Sequence, residues 1–203
     1  VARFFGTPDR IWLLGSQRLR YVDRQSMQLK TVGPTLNGLV NRYGKVTATD
    51  PKHPDLWVLT DQGQLYRWFG RTSTVKPVLR LANAEPVEAM IVVEDKIYVL
   101  QNKKLLEIDP NHQQSRLLLD TRDIHPNAYP FYLAYEKERL WLSGPDTGLI
   151  RYQLSTGQAE RFTAIPGMSQ TLTDNNTSVL YVDPLANLWV GTVDAGLARV
   201  ALS

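Results

Sequence analysis

The hydrophobic positions along this chain come in short runs of about five residues, separated by polar turns. One run in each of five segments begins with Ile or Leu followed by an aromatic residue, and the aromatic members are Trp12, Trp57, Tyr98, Trp141 and Trp189. They are separated by 45, 41, 43 and 48 residues. A period of about 44 residues is typical of four-stranded propeller blades, and the runs are too short for helical hairpins. The pattern therefore predicts an all-β repeat protein.

Each period contains the parts of one blade. In the second period, residues 46–49, 56–60, 64–68 and 75–81 are predicted strands because they are rich in apolar, aromatic and β-branched residues and are bounded by Asp, Gly and Pro. The last period stops after three such strands, which gives nineteen strands in all. The predicted blades of a single β-propeller domain or fragment, residues 1–203, are approximately 1–32, 46–81, 87–119, 131–163 and 177–203.

A last blade with three strands leaves an unpaired strand edge, and exposed edges promote association unless something covers them. The first predicted strand, near residues 2–5, is already an innermost strand, so no spare N-terminal strand completes the last blade. We therefore expect about five four-stranded blades that form part of a larger propeller. A closed five-bladed ring with one three-stranded blade is the alternative.

The amino-acid composition narrows the range of possible protein classes and partners. The 203 residues are 43% hydrophobic, which is enough for a sizeable core, and no apolar run approaches the length of a membrane span. The absence of cysteine rules out disulfide bonds and thiolate metal ligands. The net charge of +3 is spread along the chain, so we expect no nucleic-acid partner. The pair Lys103 and Lys104 is interpreted as the solvated tip of a hairpin.

The fifth period resembles the repeat of the two-component-regulator propeller family. Asp183 ends a strand, Asn-Leu-Trp-Val-Gly-Thr occupies residues 187–192, and the pair Gly196-Leu197 is followed two places on by Arg199. The second and fourth periods keep parts of this pattern, whereas the first and third lack the glycine of its central turn. Most repeated residues are interpreted as scaffold: the aromatic ring fills the space between blades, and Asp, Asn and Gly shape the turns.

The resemblance implies a periplasmic sensor domain in a bacterial inner-membrane protein, such as a hybrid histidine kinase or a diguanylate cyclase. The output domain would lie outside these residues, the full-length protein would be a homodimer, and membrane contact would come only through other segments. The domain itself would be non-catalytic, with no cofactor and no metal.

Two other functions remain open, namely a propeller enzyme such as a lyase or lactonase, and a protein-interaction scaffold. A metal-dependent propeller enzyme needs His and Glu on several innermost strands, and the central residues of the predicted innermost strands include neither. The three histidines, His53, His112 and His125, fall in turns at spacings too wide for a local metal site.

A propeller binds its ligands through the loops on one face. The longest predicted loops on such a face are 33–45, 121–131 and 165–177, and they are rich in amides and aromatic residues. We expect a small polar ligand such as a carbohydrate, or a periplasmic protein, to bind there. The predicted ligand-binding residues are Arg42, Tyr43, Asn127, Tyr129, Asp146, Asn175 and Asp194.

Overall fold

The computed structural model describes residues 3–15, 19–42, 44–49, 52–83, 85–165 and 172–200. Within them, nineteen strands form five antiparallel sheets, of which four have four strands and one has three. Every sheet is built from strands that follow one another in sequence, so each is one blade of a β-propeller. The predicted fold class and the predicted number of strands are confirmed.

The five sheets follow one another along the chain. The first sheet contains β1 (Arg3–Gly6), β2 (Arg10–Leu14), β3 (Leu19–Asp23) and β4 (Leu29–Thr31). The second contains β5 (Gly44–Thr49), β6 (Leu56–Thr60), β7 (Gln64–Phe69) and β8 (Thr74–Arg80). The third contains β9 (Val87–Val93), β10 (Lys96–Gln101), β11 (Lys104–Asp109) and β12 (Gln114–Asp120). The fourth contains β13 (Tyr132–Glu136), β14 (Arg139–Gly144), β15 (Gly148–Gln153) and β16 (Ala159–Phe162). The fifth contains β17 (Thr177–Val182), β18 (Leu188–Thr192) and β19 (Leu197–Val200).

The segment 33–45, predicted as a loop, contains a helix instead. Helix α1 spans Pro34–Arg42. Proline is well suited to the first turn of a helix because its missing N–H would have no partner there. Leu36 and Val40 are buried and lie four residues apart, so one face of α1 packs into the core. Burial of that face, rather than helix propensity, accounts for the helix.

The chain divides into two compact units. Unit 1 comprises residues 1–98 and 108–115, and unit 2 comprises residues 99–107 and 116–203. The core of unit 1 joins the first sheet, α1 and the second sheet around Trp12, which is fully buried. The rings of Trp12 and Trp68 meet edge to face with their centroids 5.3 Å apart, a favourable geometry for aromatic pairs.

The core of unit 2 lies between the fourth and fifth sheets. Trp141 is 2% exposed and packs with Leu149 of its own sheet and with Leu188 and Val190 of the next one. Leu172, in the segment before β17, closes this core at one end. In both units, therefore, the tryptophan of one blade is covered by the following blade.

The aromatic residues predicted at equivalent depths are buried in four blades, as Trp12, Trp57, Tyr98 and Trp141. The prediction is wrong for the fifth, because Trp189 is only half-buried. Its ring lies on the face of the fifth sheet that also carries Tyr181 by direct strand pairing, and Tyr181 is 57% exposed. The Trp189 ring therefore keeps contact with solvent, as does its neighbour Tyr181.

Candidate functional site

Four segments of unit 2 form one continuous surface, which we call the loop surface. They are residues 121–131 before β13, 145–147 between β14 and β15, 172–176 before β17, and 193–196 between β18 and β19. Each segment either leads into an innermost strand or joins the second and third strands of a blade. In an antiparallel meander these connections fall at the same end of the sheet.

Hydrogen bonds donated by backbone N–H groups hold these segments together. The Tyr129 N–H donates to Thr147 Oγ1 over 3.0 Å, which ties the first segment to the second. The Gly148 N–H donates to the Asn175 carbonyl over 2.9 Å, which ties the second to the third. The Val193 N–H donates to a carbonyl of the third segment over 3.0 Å, which adds the fourth. The loop surface is thus a bonded framework.

Gly144 allows the closest approach between these segments. A Cβ atom at this position would lie 2.4 Å from the Tyr129 carbonyl oxygen and 2.9 Å from the Phe131 nitrogen. The Gly144 carbonyl also accepts a hydrogen bond of 3.1 Å from the buried Thr177 hydroxyl. Glycine is required because any side chain would push segment 121–131 away from β14.

The beginning of segment 121–131 is fixed by a cap. The Asp120 carboxylate accepts hydrogen bonds from the Arg122 backbone N–H over 3.1 Å and from the Arg122 guanidinium, whose Nε lies 2.8 Å away. These bonds lower the pKa of Asp120 below its usual value. The buried Thr121 donates through both its N–H and its hydroxyl to the Lys103 carbonyl. The following loop therefore starts from a rigid point.

Two aromatic rings and a lysine lie together on the loop surface. The rings of Tyr129 and Phe131 are 4.9 Å apart between centroids, and Phe131 is 41% exposed. The Lys103 ammonium lies 5.5 Å from the Tyr129 ring centroid and donates a hydrogen bond of 3.1 Å to the Pro126 carbonyl. Lys103 lies in the hairpin turn between β10 and β11, as expected, but its side chain is partly buried rather than fully solvated.

The structure brings five of the seven predicted ligand-binding residues onto the loop surface: Asn127, Tyr129, Asp146, Asn175 and Asp194. The other two belong to unit 1. Arg42 is the last residue of α1, but its side chain lies outside what the structure describes, as does the whole of Tyr43.

The five residues differ in what their side chains do. Asn175 has a structural role, because its Oδ1 accepts a hydrogen bond of 2.8 Å from the Ala164 N–H. Asp146 and Asp194 are exposed at hairpin tips. The Arg161 guanidinium donates to the Asp146 carbonyl oxygen over 3.1 Å and so fixes the tip that carries this carboxylate. Asn127 is exposed between the Lys103 contact and Tyr129.

The histidines are spread over both units. His53 lies in the turn before β6, and His112 Nδ1 lies 2.8 Å from Asp109 Oδ2. His125 belongs to the loop surface, and its Nδ1 is buried without a hydrogen-bond partner in the described part of the chain. No group of three His, Asp or Glu side chains able to hold a metal occurs among the described residues.

The innermost strands β9 and β13 each contain a glutamate. Glu88 lies in β9 and Glu136 ends β13, and both are buried. The Glu136 carboxylate oxygens are 3.6 Å from Lys137 Nζ and 3.7 Å from an Arg139 guanidinium nitrogen. Both glutamates lie outside the central residues of their strands, and these ion pairs give Glu136 a structural role.

Comparisons with known proteins identify the fold. No family model matches the chain, and no curated protein matches its sequence. Among solved structures, it is similar to an extracellular domain assigned to a one-component system of Bacteroides thetaiotaomicron, with a TM-score of 0.70 and 21% identity over 98% of this chain and 27% of that one. A second such domain, assigned to a hybrid two-component system of the same organism, gives a TM-score of 0.68 and 16% identity over 98% of this chain and 28% of that one.

A third similar structure is PorZ, a surface component of the type-IX secretion system of Porphyromonas gingivalis. It gives a TM-score of 0.65 and 15% identity over 99% of this chain and 24% of that one. The chain thus spans about a quarter of the length of these structures. At these identities the likeness shows the propeller fold, in agreement with the two-component-regulator resemblance of the fifth repeat.

No helix among the described residues is long and apolar enough to cross a membrane.

Proposed function

We propose that this chain is an extracytoplasmic ligand-sensing propeller domain of a bacterial membrane-bound signalling protein. The observation that carries the proposal is the loop surface of unit 2, where bonded segments hold exposed polar side chains beside two aromatic rings. The likeness to extracellular domains assigned to one-component and hybrid two-component systems supports the same function. The proposal includes a periplasmic location in an inner-membrane protein and a place within a larger propeller.

The loop surface favours a carbohydrate as ligand. Tyr129 and Phe131 offer adjacent ring faces and edges against which the apolar face of a sugar ring can pack. Asp146 and Asp194 supply carboxylate acceptors for hydroxyl groups, and Asn127 supplies both a donor and an acceptor. The Lys103 ammonium beside Tyr129 adds a cationic donor. This set of groups recognises hydroxyls and ring faces without a metal and without bond-breaking chemistry.

Signalling requires only that ligand binding distinguish two arrangements of the full protein. A ligand that binds one arrangement of a propeller dimer more tightly shifts the population toward it, by no more than the difference in binding free energy. Because segments 121–131, 145–147, 172–176 and 193–196 are bonded to one another, a ligand that contacts two of them restrains all four. The kinase or cyclase output lies outside these residues.

The test is calorimetry with a panel of neutral and acidic oligosaccharides, on the wild type and two variants. Tyr129→Ala removes a ring of the loop surface, and Tyr181→Ala removes an exposed ring of similar size from β17 in the same unit. We expect binding that is weakened at least tenfold by Tyr129→Ala and changed less than twofold by Tyr181→Ala. Equal effects of the two variants, or turnover of the sugar, would contradict the proposal.

A further inference from the structure

A cleft of about 370 Å³ opens at one end of the second sheet in unit 1. It lies between the turn that precedes β6 and the turn that joins β7 to β8, at the end of the sheet opposite the β6–β7 turn. Its lining residues are His53, Pro54, Asp55, Phe69, Arg71 and Thr72. Its volume lies within the range of about 300 to 1,000 Å³ that is common for small-molecule sites.

The two walls of the cleft are held together by a buried carboxylate. Asp55 is 7% exposed, and its Oδ1 accepts a hydrogen bond of 3.0 Å from the Gly70 N–H on the opposite wall. Its Oδ2 accepts from the Arg67 guanidinium, with Nε at 2.8 Å and Nη2 at 2.6 Å. A Cβ at position 70 would lie 2.2 Å from the Pro54 carbonyl oxygen, so glycine permits this contact.

Arg67 is itself fixed by two aromatic rings. Its guanidinium carbon lies 5.0 Å from the Trp57 ring centroid and 4.8 Å from the Phe69 ring centroid. This cation–π contact and the pair with Asp55 give Phe69 a defined position in the wall of the cleft. The walls are thus organised before any ligand binds, which lowers the entropic cost of binding.

The charge left in the cleft is positive. Arg67 compensates the charge of Asp55, whereas Arg71 is exposed and forms no hydrogen bond or ion pair within the described residues. Glu94 and Asp95 do not line the cleft; they line a smaller cavity of about 50 Å³ that is also lined by Arg67 and shares His53 with the cleft. A guanidinium at the mouth of a cleft binds carboxylate or phosphate through paired hydrogen bonds.

We propose that this cleft binds a compact organic anion, whose carboxylate or phosphate pairs with Arg71 and whose apolar part packs against Phe69 and Pro54. The Thr72 hydroxyl, which lies 2.8 Å from the Thr74 hydroxyl, is a further hydrogen-bonding group for the anion. This site is in unit 1 and is independent of the loop surface of unit 2. The protein then has a second recognition site, for ligands of a different chemical class.

The experiment titrates benzoate, phenyl phosphate, inorganic phosphate and neutral benzyl alcohol into the protein, with calorimetry and backbone amide shifts as readouts. The variants are Arg71→Ala and, as a matched control, Arg80→Ala, which removes an exposed arginine from β8 of the same sheet. Both positions are exposed, so both variants should fold like the wild type.

We expect benzoate or phenyl phosphate to bind and to shift amides at 53–55 and 69–72, with no binding of benzyl alcohol. Arg71→Ala should weaken binding at least tenfold, as for the loss of a charge-assisted hydrogen bond, and Arg80→Ala less than twofold. A preference for benzoate over phenyl phosphate identifies a carboxylate site, and the reverse identifies a phosphate site. Absence of binding at millimolar concentration, or equal effects of the two variants, would overturn the proposal. Neither outcome bears on the sugar site, whose shifts would appear at 127–131, 146 and 194.

Discussion

The indole nitrogen of Trp189 donates a hydrogen bond of 2.9 Å to Oδ2 of Asp183. The other oxygen of this carboxylate accepts from the backbone N–H groups of Leu185 and Asn187, each over 2.9 Å. One side chain thus shapes the β17–β18 turn and holds the tryptophan of the fifth sheet. These donors, with Trp189 contributing most, lower the pKa of Asp183 to about 2.

The Asp183 contacts should make the stability of unit 2 depend on acid. The pKa falls from 3.8 to about 2 in the folded state, so the ionised carboxylate stabilises the fold fully above about pH 4. This stabilisation is lost as the pH falls from about 4 to about 2. Urea unfolding should show that the wild type and Asp183→Asn differ in free energy of unfolding by a constant amount above pH 5. Below pH 4 this difference should shrink. A difference that stays constant down to pH 2 would contradict the assignment.

Tryptophans at equivalent repeat positions should contribute unequally to stability. Trp141 is 2% exposed in the core of unit 2, so Trp141→Ala should cost about 3 to 5 kcal/mol, as for other buried aromatic residues. Trp189→Ala should cost less, because its ring is only half-buried. Denaturant unfolding of both variants checks the order. An equal or larger loss for Trp189→Ala would mean that repeat position, rather than burial, decides the contribution.

Two glycine substitutions should have opposite effects. In Gly144→Ala the new Cβ would meet backbone atoms of segment 121–131 at 2.4 to 3.0 Å, and we expect a loss of about 1 to 3 kcal/mol. In Gly38→Ala the new Cβ meets nothing within 4 Å inside α1, and we expect a gain of about 0.5 to 1 kcal/mol. Thermal unfolding measures both. Shifts in melting temperature of similar size and the same sign in the two variants would show that the loop surface does not depend on the close approach at Gly144.

Predicted ligand residues with a structural contact should contribute more to the free energy of unfolding than those that are exposed. Asn175→Ala removes the acceptor of the Ala164 N–H and should cost about 0.5 to 1.5 kcal/mol. Asp194→Ala alters an exposed hairpin tip and should change stability by less than about 0.5 kcal/mol. Chemical unfolding of the two variants is the measurement. A larger cost at Asp194 would place a structural contact there instead.

The strands could be predicted from the sequence because their signals are local. β6 has the predicted bounds, because it is an apolar run with an aspartate on each side. α1 could not be predicted in the same way, because nine residues offer few turns of periodicity and include Gly38 and Asn37. Burial of Leu36 and Val40 decides its conformation, and the residues that bury them belong to the first and second sheets rather than to the helix.

The loop surface is only partly predictable from the sequence, for a related reason. The unusual length of segment 121–131 identifies Asn127 and Tyr129 as candidates. Lys103 escapes prediction because its contact is with the Pro126 carbonyl, 23 residues away, and a local pattern of two lysines gives no sign of it. The exposure of Trp189 could not be predicted from the sequence, because the repeat motif around this residue is intact. Burial depends instead on what covers the sheet.

The most direct test of a sugar site on the loop surface is backbone amide shift mapping during titration with an oligosaccharide selected by calorimetry. We expect the perturbed amides to cluster at 127–131, 145–147 and 193–196, with smaller changes at 172–176 through the hydrogen bonds that join these segments. We also expect the sugar to be recovered unchanged. Perturbations confined to unit 1, or spread over the exposed face of the fifth sheet around Tyr181, would contradict a ligand site on the loop surface.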